Sequence, residues 1–221
     1  MAQGYFITGT DTGIGKTRAS VALLEYFKAQ GKTVVGMKPI ASGCEKTPAG
    51  LRNEDAVLLQ QYSNIKLPYD SINPFAFELP VSPHIAAEKA GCRIDLATIL
   101  TAYKKLENTA DVVIVEGVGG WLVPLNASDD VADLAVTLNL PVIIVVGMRL
   151  GCINQARLTF AAIKQSGVEC VGWIASCVEK DMLMLAENIA TLESNSEYPL
   201  LAVLPYEEEL SANSLPNKIA L

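Results

Sequence analysis

Six short apolar runs rich in β-branched residues punctuate the chain, at Gly4 to Thr8, Thr33 to Met37, Val112 to Val115, Val142 to Val146, Val171 to Ala175 and Leu200 to Leu204. They lack polar alternation, are too short for core helices, and most are flanked by Gly, Pro or Asp, so they read as strands buried on both faces. That is the habit of parallel sheets. Between them, amphipathic stretches predict helices at about Lys16 to Gln30, Asp55 to Tyr62, His84 to Lys89, Asp95 to Asn108, Val131 to Asn139, Ile153 to Ser166 and Met182 to Leu192. The alternation predicts an α/β fold: a mostly parallel β-sheet flanked by helices on both faces, with residues 1–221 forming a single domain. Ligands of such sheets bind beyond the carboxyl ends of the strands, so the residues after each run are where chemistry is expected.

After the first run comes Gly9-Thr10-Asp11-Thr12-Gly13-Ile14-Gly15-Lys16-Thr17, and then an amphipathic helix. Such a glycine-rich turn brings backbone N–H groups together on phosphate oxygens, and the helix N-terminus adds partial positive charge. In this pattern Lys16 reaches the β and γ phosphates and the Thr17 hydroxyl ligates Mg²⁺. It is a variant phosphate loop, with Thr10 where the first glycine of the strict pattern belongs.

Lys38 follows the second run, placed to neutralise a phosphoryl group in transfer, and leads into Pro39-Ile40-Ala41-Ser42-Gly43. Asp55 opens a helix, where a carboxylate serves equally as a helix-start charge or a metal ligand. Glu116 ends the third run before Gly117-Val118-Gly119-Gly120, in the position of a second Mg²⁺-organising acid. Gly151-Cys152-Ile153-Asn154 begins a helix, either an ordinary start or an anion site. The lone histidine, His84, excludes a multi-histidine metal site and is given a structural role.

Composition narrows the partners. Half of the 221 residues are hydrophobic and 19% are charged, which excludes intrinsic disorder. A net charge of -7 argues against a nucleic-acid footprint, so any phosphate is held locally. Five scattered cysteines without a C-x-x-C pair suggest reduced thiols and a cytoplasmic location rather than a disulfide framework or zinc site. No secretion signal is visible, and the longest apolar run, Pro141 to Gly147, is far short of the roughly 18 residues that span a membrane.

Gly9 to Thr17, Lys38 to Gly43, Leu51 to Ala56, Asn73-Pro74, Ser82 to Ile85, Glu116 to Trp121 and Gly151 to Asn154, in this order over nearly the whole chain, closely resemble the dethiobiotin synthetase family of phosphate-loop NTPases. Glu45-Lys46-Thr47-Pro48 with Gly50-Leu51-Arg52-Asn53, and the Gly151 to Asn154 run, are the most specific segments. The resemblance implies a P-loop NTPase-like fold and an ATP-dependent cyclo-ligase of biotin biosynthesis. One amine of 7,8-diaminononanoate takes up CO₂ as a carbamate, ATP phosphorylates it, and the second amine displaces phosphate to give dethiobiotin and ADP.

The same resemblance implies catalytic roles for Lys16 and Lys38 and Mg²⁺ ligation by Thr17, Asp55 and Glu116. Nucleotide contacts are implied for Gly13, Ile14, Gly15, Lys16, Thr17, Arg18, Asp55, Glu116, Gly117, Val118, Gly119, Ser176, Cys177, Pro205, Tyr206 and Glu207. Substrate contacts are implied for Thr12, Ser42, Gly151, Cys152, Ile153 and Asn154, with the substrate near the interface of a homodimer and neither nucleic acid nor membrane as partner.

Two positions depart from the family pattern. Ser176-Cys177 stands where an Asn-Asp pair commonly meets the adenine, so base discrimination is expected to be weaker, because a hydroxyl lacks the paired donor and acceptor of an amide. Asn188 stands where some members carry a tyrosine toward the partner's substrate. Two rival readings share the fold. Partition-type ATPase switches carry a lysine early in the loop, where this chain has Asp11, and cobyrinate amidases need a glutaminase domain for which 221 residues leave no room.

Overall fold

The computed structural model describes residues 2–207 and 221. β1 (Gln3–Gly9) leads to α1 (Lys16–Ala29), β2 (Val34–Met37), the short β3 (Ile40–Ala41), and a hairpin of β4 (Glu45–Thr47) and β5 (Gly50–Arg52). There follow α2 (Glu54–Tyr62), α3 (Tyr69–Ile72), β6 (Phe75–Ala76), α4 (Pro83–Lys89), α5 (Leu96–Glu107) and β7 (Val112–Glu116). The chain continues through α6 (Val131–Leu138), β8 (Val142–Met148), α7 (Cys152–Ser166), β9 (Cys170–Cys177), α8 (Leu185–Ser194) and β10 (Leu200–Leu204). The six expected strands form one all-parallel sheet in the order β10-β9-β8-β1-β7-β2.

Residues of β2, β7 and β8 are buried throughout, which is why their sequences run apolar without alternation. Period-two geometry still divides them between two cores. Tyr5, Ile7, Ile114, Ile143 and Val145 pack with Val21, Leu24 and Phe27 of α1 on one face. Phe6, Val113, Val115, Ile144 and Val146 pack on the other with Tyr103 of α5, Leu134 of α6 and Phe160 of α7. Helices therefore cover both faces, as expected.

The seven expected helices are present, most within one residue at each end; the largest shift is in α8, which runs Leu185–Ser194 rather than Met182 to Leu192 and starts after Met184 in the left-handed region at φ 52°. The small elements β3 to β6 and the four-residue α3 were not foreseen, because two or three residues carry no period.

Parallel register puts every strand's carboxyl end on one edge. Because β1 lies between β7 and β8, with Ile7 opposite Glu116 and Gly9 opposite Val145, its glycine loop falls between the ends of both neighbours. β2 flanks β7 on the far side with Met37 opposite Val115, which delivers Lys38 beside Glu116.

Candidate active site

The loop after β1 opens into α1 without a side-chain cap; its N-cap is Gly15 in the left-handed region at φ 86°. Contrast α2, α5 and α6, whose first turns are capped by Asn53, Asp95 and Asp130. The free N–H groups of α1 face a cleft of about 730 Å³ and are left for an anionic ligand. Gly15 is required twice over: its φ disfavours a side chain, and an added Cβ would stand 2.4 Å from Ser176 Oγ.

Five side chains from four separated segments meet at the cleft. Lys38, 4% exposed, donates to Glu116 Oε1 at 2.5 Å and to Asp55 Oδ2 at 3.0 Å. Thr17 donates its hydroxyl to the same Glu116 oxygen at 2.9 Å. Lys16, 6% exposed, turns its ammonium onto the Asp11 carbonyl at 2.7 Å. Burial, then the neighbouring Lys38 charge, lowers Lys16 to about 8. Burial also opposes charge on Lys38, but the carboxylates of Glu116 and Asp55 override it and leave this ammonium above its ordinary value. Asp55 is likewise desolvated, yet Lys38 and the Thr17 hydroxyl hold it below the usual carboxylate range. The Asp55–Lys38 pair therefore supports the fold above the ordinary aspartate value and loses that support only in acid.

Asp55 stands in the first turn of α2, where its charge suits the helix start, but it is not the cap. Asn53 is the residue that caps α2, accepting from the Ala56 N–H at 3.2 Å, so the Asp55 carboxylate is left to the cleft. Glu116 Oε2 is buried with no partner among the described residues. Two carboxylates and a hydroxyl, with one carboxylate oxygen left over, form the hard-oxygen donor set that Mg²⁺ prefers when most of its remaining ligands are water and phosphate.

Thr12, Gly13, Arg18, Ser42, Val118 and Gly119 also line the cleft. Ile14 is instead packed in the core beneath the loop. Ser176, Cys177, Pro205, Tyr206, Glu207 and the Gly151 to Asn154 helix start lie outside the cleft lining. Ser176 is buried under Gly15, and burial pushes the Cys177 thiol up, against the nearby Arg18 charge. Arg18 and Glu207 form an ion pair at 3.1 Å, with Arg18 Nε buried and without a hydrogen-bond partner among the described residues.

Sequence reasoning did not single out the Pro80 and Val81 wall of the cleft, nor Arg149. Arg149, just past β8, pairs with the Asp11 carboxylate, so the base that meets this loop position comes from another strand. The signal was its place after a strand. His84 Nδ1 lies 3.0 Å from Ser82 Oγ at the start of α4.

Comparison with known proteins bears on what this cleft serves. The AAA domain family matches residues 3–214. Among solved structures, MinD of Pyrococcus horikoshii complexed with Mg-ADP aligns with a TM-score of 0.59 at 15% identity, covering 100% of this chain and 88% of that one. Chloroplast FtsY of Physcomitrella patens aligns at 0.54 and 18%, covering 94% and 59%. At those identities the likeness shows the fold alone. The ATP-dependent dethiobiotin synthetase BioD of Xanthomonas oryzae pv. oryzae is 50% identical over 208 residues, 94% of this chain and 93% of its own. That of Nitrosospira multiformis is 49% identical over 215 residues, 97% and 93%. Similarity of this degree along nearly the whole chain places it in the ATP-dependent dethiobiotin synthetase family.

Proposed function

We propose that the chain closes the cyclic urea of dethiobiotin from 7,8-diaminononanoate, CO₂ and ATP. The observation that carries this reading is the buried Lys38 held by two carboxylates beside the Lys16 loop, in a chain of that family. A carbamate oxygen attacks the γ-phosphorus, ADP leaves, and the resulting carbamic-phosphoric anhydride is opened at its carbonyl carbon by the second amine, which expels phosphate. Negative charge grows on the transferred phosphoryl oxygens, where Lys16 and Lys38 are pre-set. Binding draws the Lys16 ammonium from the Asp11 carbonyl to the phosphates. Thr12 and Ser42, in the cleft lining, are assigned to the diamine and its carbamate.

Thr17, Asp55 and Glu116 are the residues that would hold Mg²⁺, which when bound supplies charge neutralisation at the phosphates. The base is assigned to the Arg18, Ser176, Cys177 and Pro205 to Glu207 side, and none of these residues carries a side-chain amide. CTP and GTP are accordingly expected to support turnover within about tenfold of ATP, since one hydroxyl discriminates bases poorly. Rates measured with the three nucleotides would sink this expectation if ATP alone worked.

A homodimer is also proposed, with the uncapped α7 start at Gly151 to Asn154 receiving a substrate carboxylate near the interface. Leu150 is 96% exposed and Leu183 83%, at the starts of adjoining α7 and α8, which supports a covered face there. A monomer mass by light scattering would remove this arm. No helix among the described residues is long and apolar enough to cross a membrane.

The deciding experiment follows phosphate release from Mg-ATP in bicarbonate buffer with and without the diamine, and dethiobiotin by mass spectrometry. Phosphate and dethiobiotin appearing together, only with the diamine, is the expected result. Phosphate release indifferent to the diamine, with no cyclic urea, would replace the ligase by an ATPase switch.

A further inference from the structure

The hydrogen bonds around Lys38 close into a ring, and two of its members, Tyr69 and Asn73, do not line the cleft. The backbone N–H of Asn53 donates to the Tyr69 hydroxyl at 2.8 Å, and that hydroxyl donates to Asn73 Oδ1 at 3.0 Å. Asn73 Nδ2 donates to the Lys38 carbonyl at 2.7 Å and to the Phe75 carbonyl at 3.3 Å. Lys38 Nζ then reaches Asp55, two residues beyond Asn53, and the circuit is complete.

Its neutral members are buried along with Lys38: Tyr69 is 7% exposed, Asn73 3% and Lys38 4%. Burial pushes the Tyr69 phenol up, so it keeps the proton that it donates. Backbone bonds tighten the circuit, with Lys38 N–H donating to the Ile72 carbonyl and Asn73 N–H to the Tyr69 carbonyl. The Arg52 guanidinium, at the end of the β4–β5 hairpin, lies 4.1 Å from the centre of the Tyr69 ring and loads it from outside.

A buried network with its hydrogen bonds made is rigid, because each group that lost its partner would stand desolvated. This one ties the exit of β2, which carries Lys38, to the cap of α2, which carries Asp55. We infer that Tyr69 and Asn73 are positioning residues that hold the Lys38 ammonium and the Asp55 carboxylate in register for phosphoryl transfer, without touching substrate. The inference rests on the ligase reading above. Displacement of a reacting group by about 1 Å costs up to roughly 100-fold in rate, so a fraction of that shift at Lys38 is visible in kcat.

Tyr69→Phe keeps the ring and its packing but removes the oxygen that joins Asn53 to Asn73. It is expected to lower kcat by about 10- to 100-fold while ATP affinity, measured without turnover, stays within about twofold of wild type. Asp55→Asn lowers kcat by itself, and adding Tyr69→Phe to it changes kcat by less than about twofold, because both act on one unit. Asn73→Asp, which replaces the donor to Lys38 by an acceptor, is expected to show the same split, and it decides the matter if Tyr69→Phe does not fold.

A Tyr69→Phe kcat within about twofold of wild type, or a loss that multiplies with that of Asp55→Asn, overturns the inference. So does failure of both variants to fold, which assigns the pair to stability alone. A wild-type protein that makes no dethiobiotin fails the ligase reading instead, and is told apart by needing no variant at all.

Discussion

Lys38→Gln is expected to lower kcat by about 10²- to 10³-fold, the usual effect of removing one pre-organised donor from a developing oxyanion. Its second effect follows from burial. Glu116 is 1% exposed, and without the ammonium its one remaining hydrogen-bond partner among the described residues is the Thr17 hydroxyl. Breaking a buried pair from one side costs about 3 kcal/mol or more, which lowers Tm by roughly 10 °C in a chain of this size. A domain with an ordinary stability of about 5 to 15 kcal/mol still folds after that loss. Lys38→Gln combined with Glu116→Gln removes the stranded charge, so Tm recovers while turnover stays low. Thermal unfolding and steady-state rates on the two variants check both halves. Wild-type turnover in the single variant would end the phosphoryl-transfer role of Lys38, and an unchanged Tm would mean the pair is not coupled in the fold.

Lys16→Gln is expected to weaken ATP binding by roughly 30- to 100-fold, the equivalent of about 2 to 3 kcal/mol for a charged hydrogen bond to phosphate. The wild-type protein carries a pH signature that this variant should lose. Lys16 titrates at about 8 in the free protein, and phosphate oxygens raise it once bound. Affinity that depends on the protonated form is fully present below pH 8 and falls as pH rises through that value, by up to about tenfold per pH unit. Calorimetry above pH 8 should also register proton uptake on binding, in buffers of different ionisation enthalpy. A flat profile between pH 7 and 9 in the wild-type protein, or an unchanged slope in Lys16→Gln, would remove Lys16 from phosphate contact.

Much of this was written locally. Buried strands announce themselves as apolar runs because both their faces are covered, and Gly9 to Thr17 announces a phosphate loop because backbone convergence on an anion needs glycine at several places in a short turn. Lys16 and Thr17 belong to that loop pattern, and Lys38 and Glu116 were singled out by a positional rule, that chemistry follows strands in a parallel sheet. Segments too short to show a period, such as β3, β6 and α3, carried no such signal.

Pairing between distant side chains was decided by topology. Nothing in the local sequence says that β1 inserts between β7 and β8, yet that order brings Thr17 to Glu116 and Asp11 to Arg149. That Asn53 rather than Asp55 caps α2 shows only in the fold, and Asn73 belonged to a dipeptide that carries the family resemblance, with no role until it reached the Lys38 carbonyl. Strands, helices and the residue types that handle phosphate are legible in local stretches of chain, because propensity, period and backbone strain act over a few neighbours. Which carboxylate meets which ammonium, and how far each is removed from water, emerges on folding, because electrostatics and burial act through space between segments the chain keeps far apart.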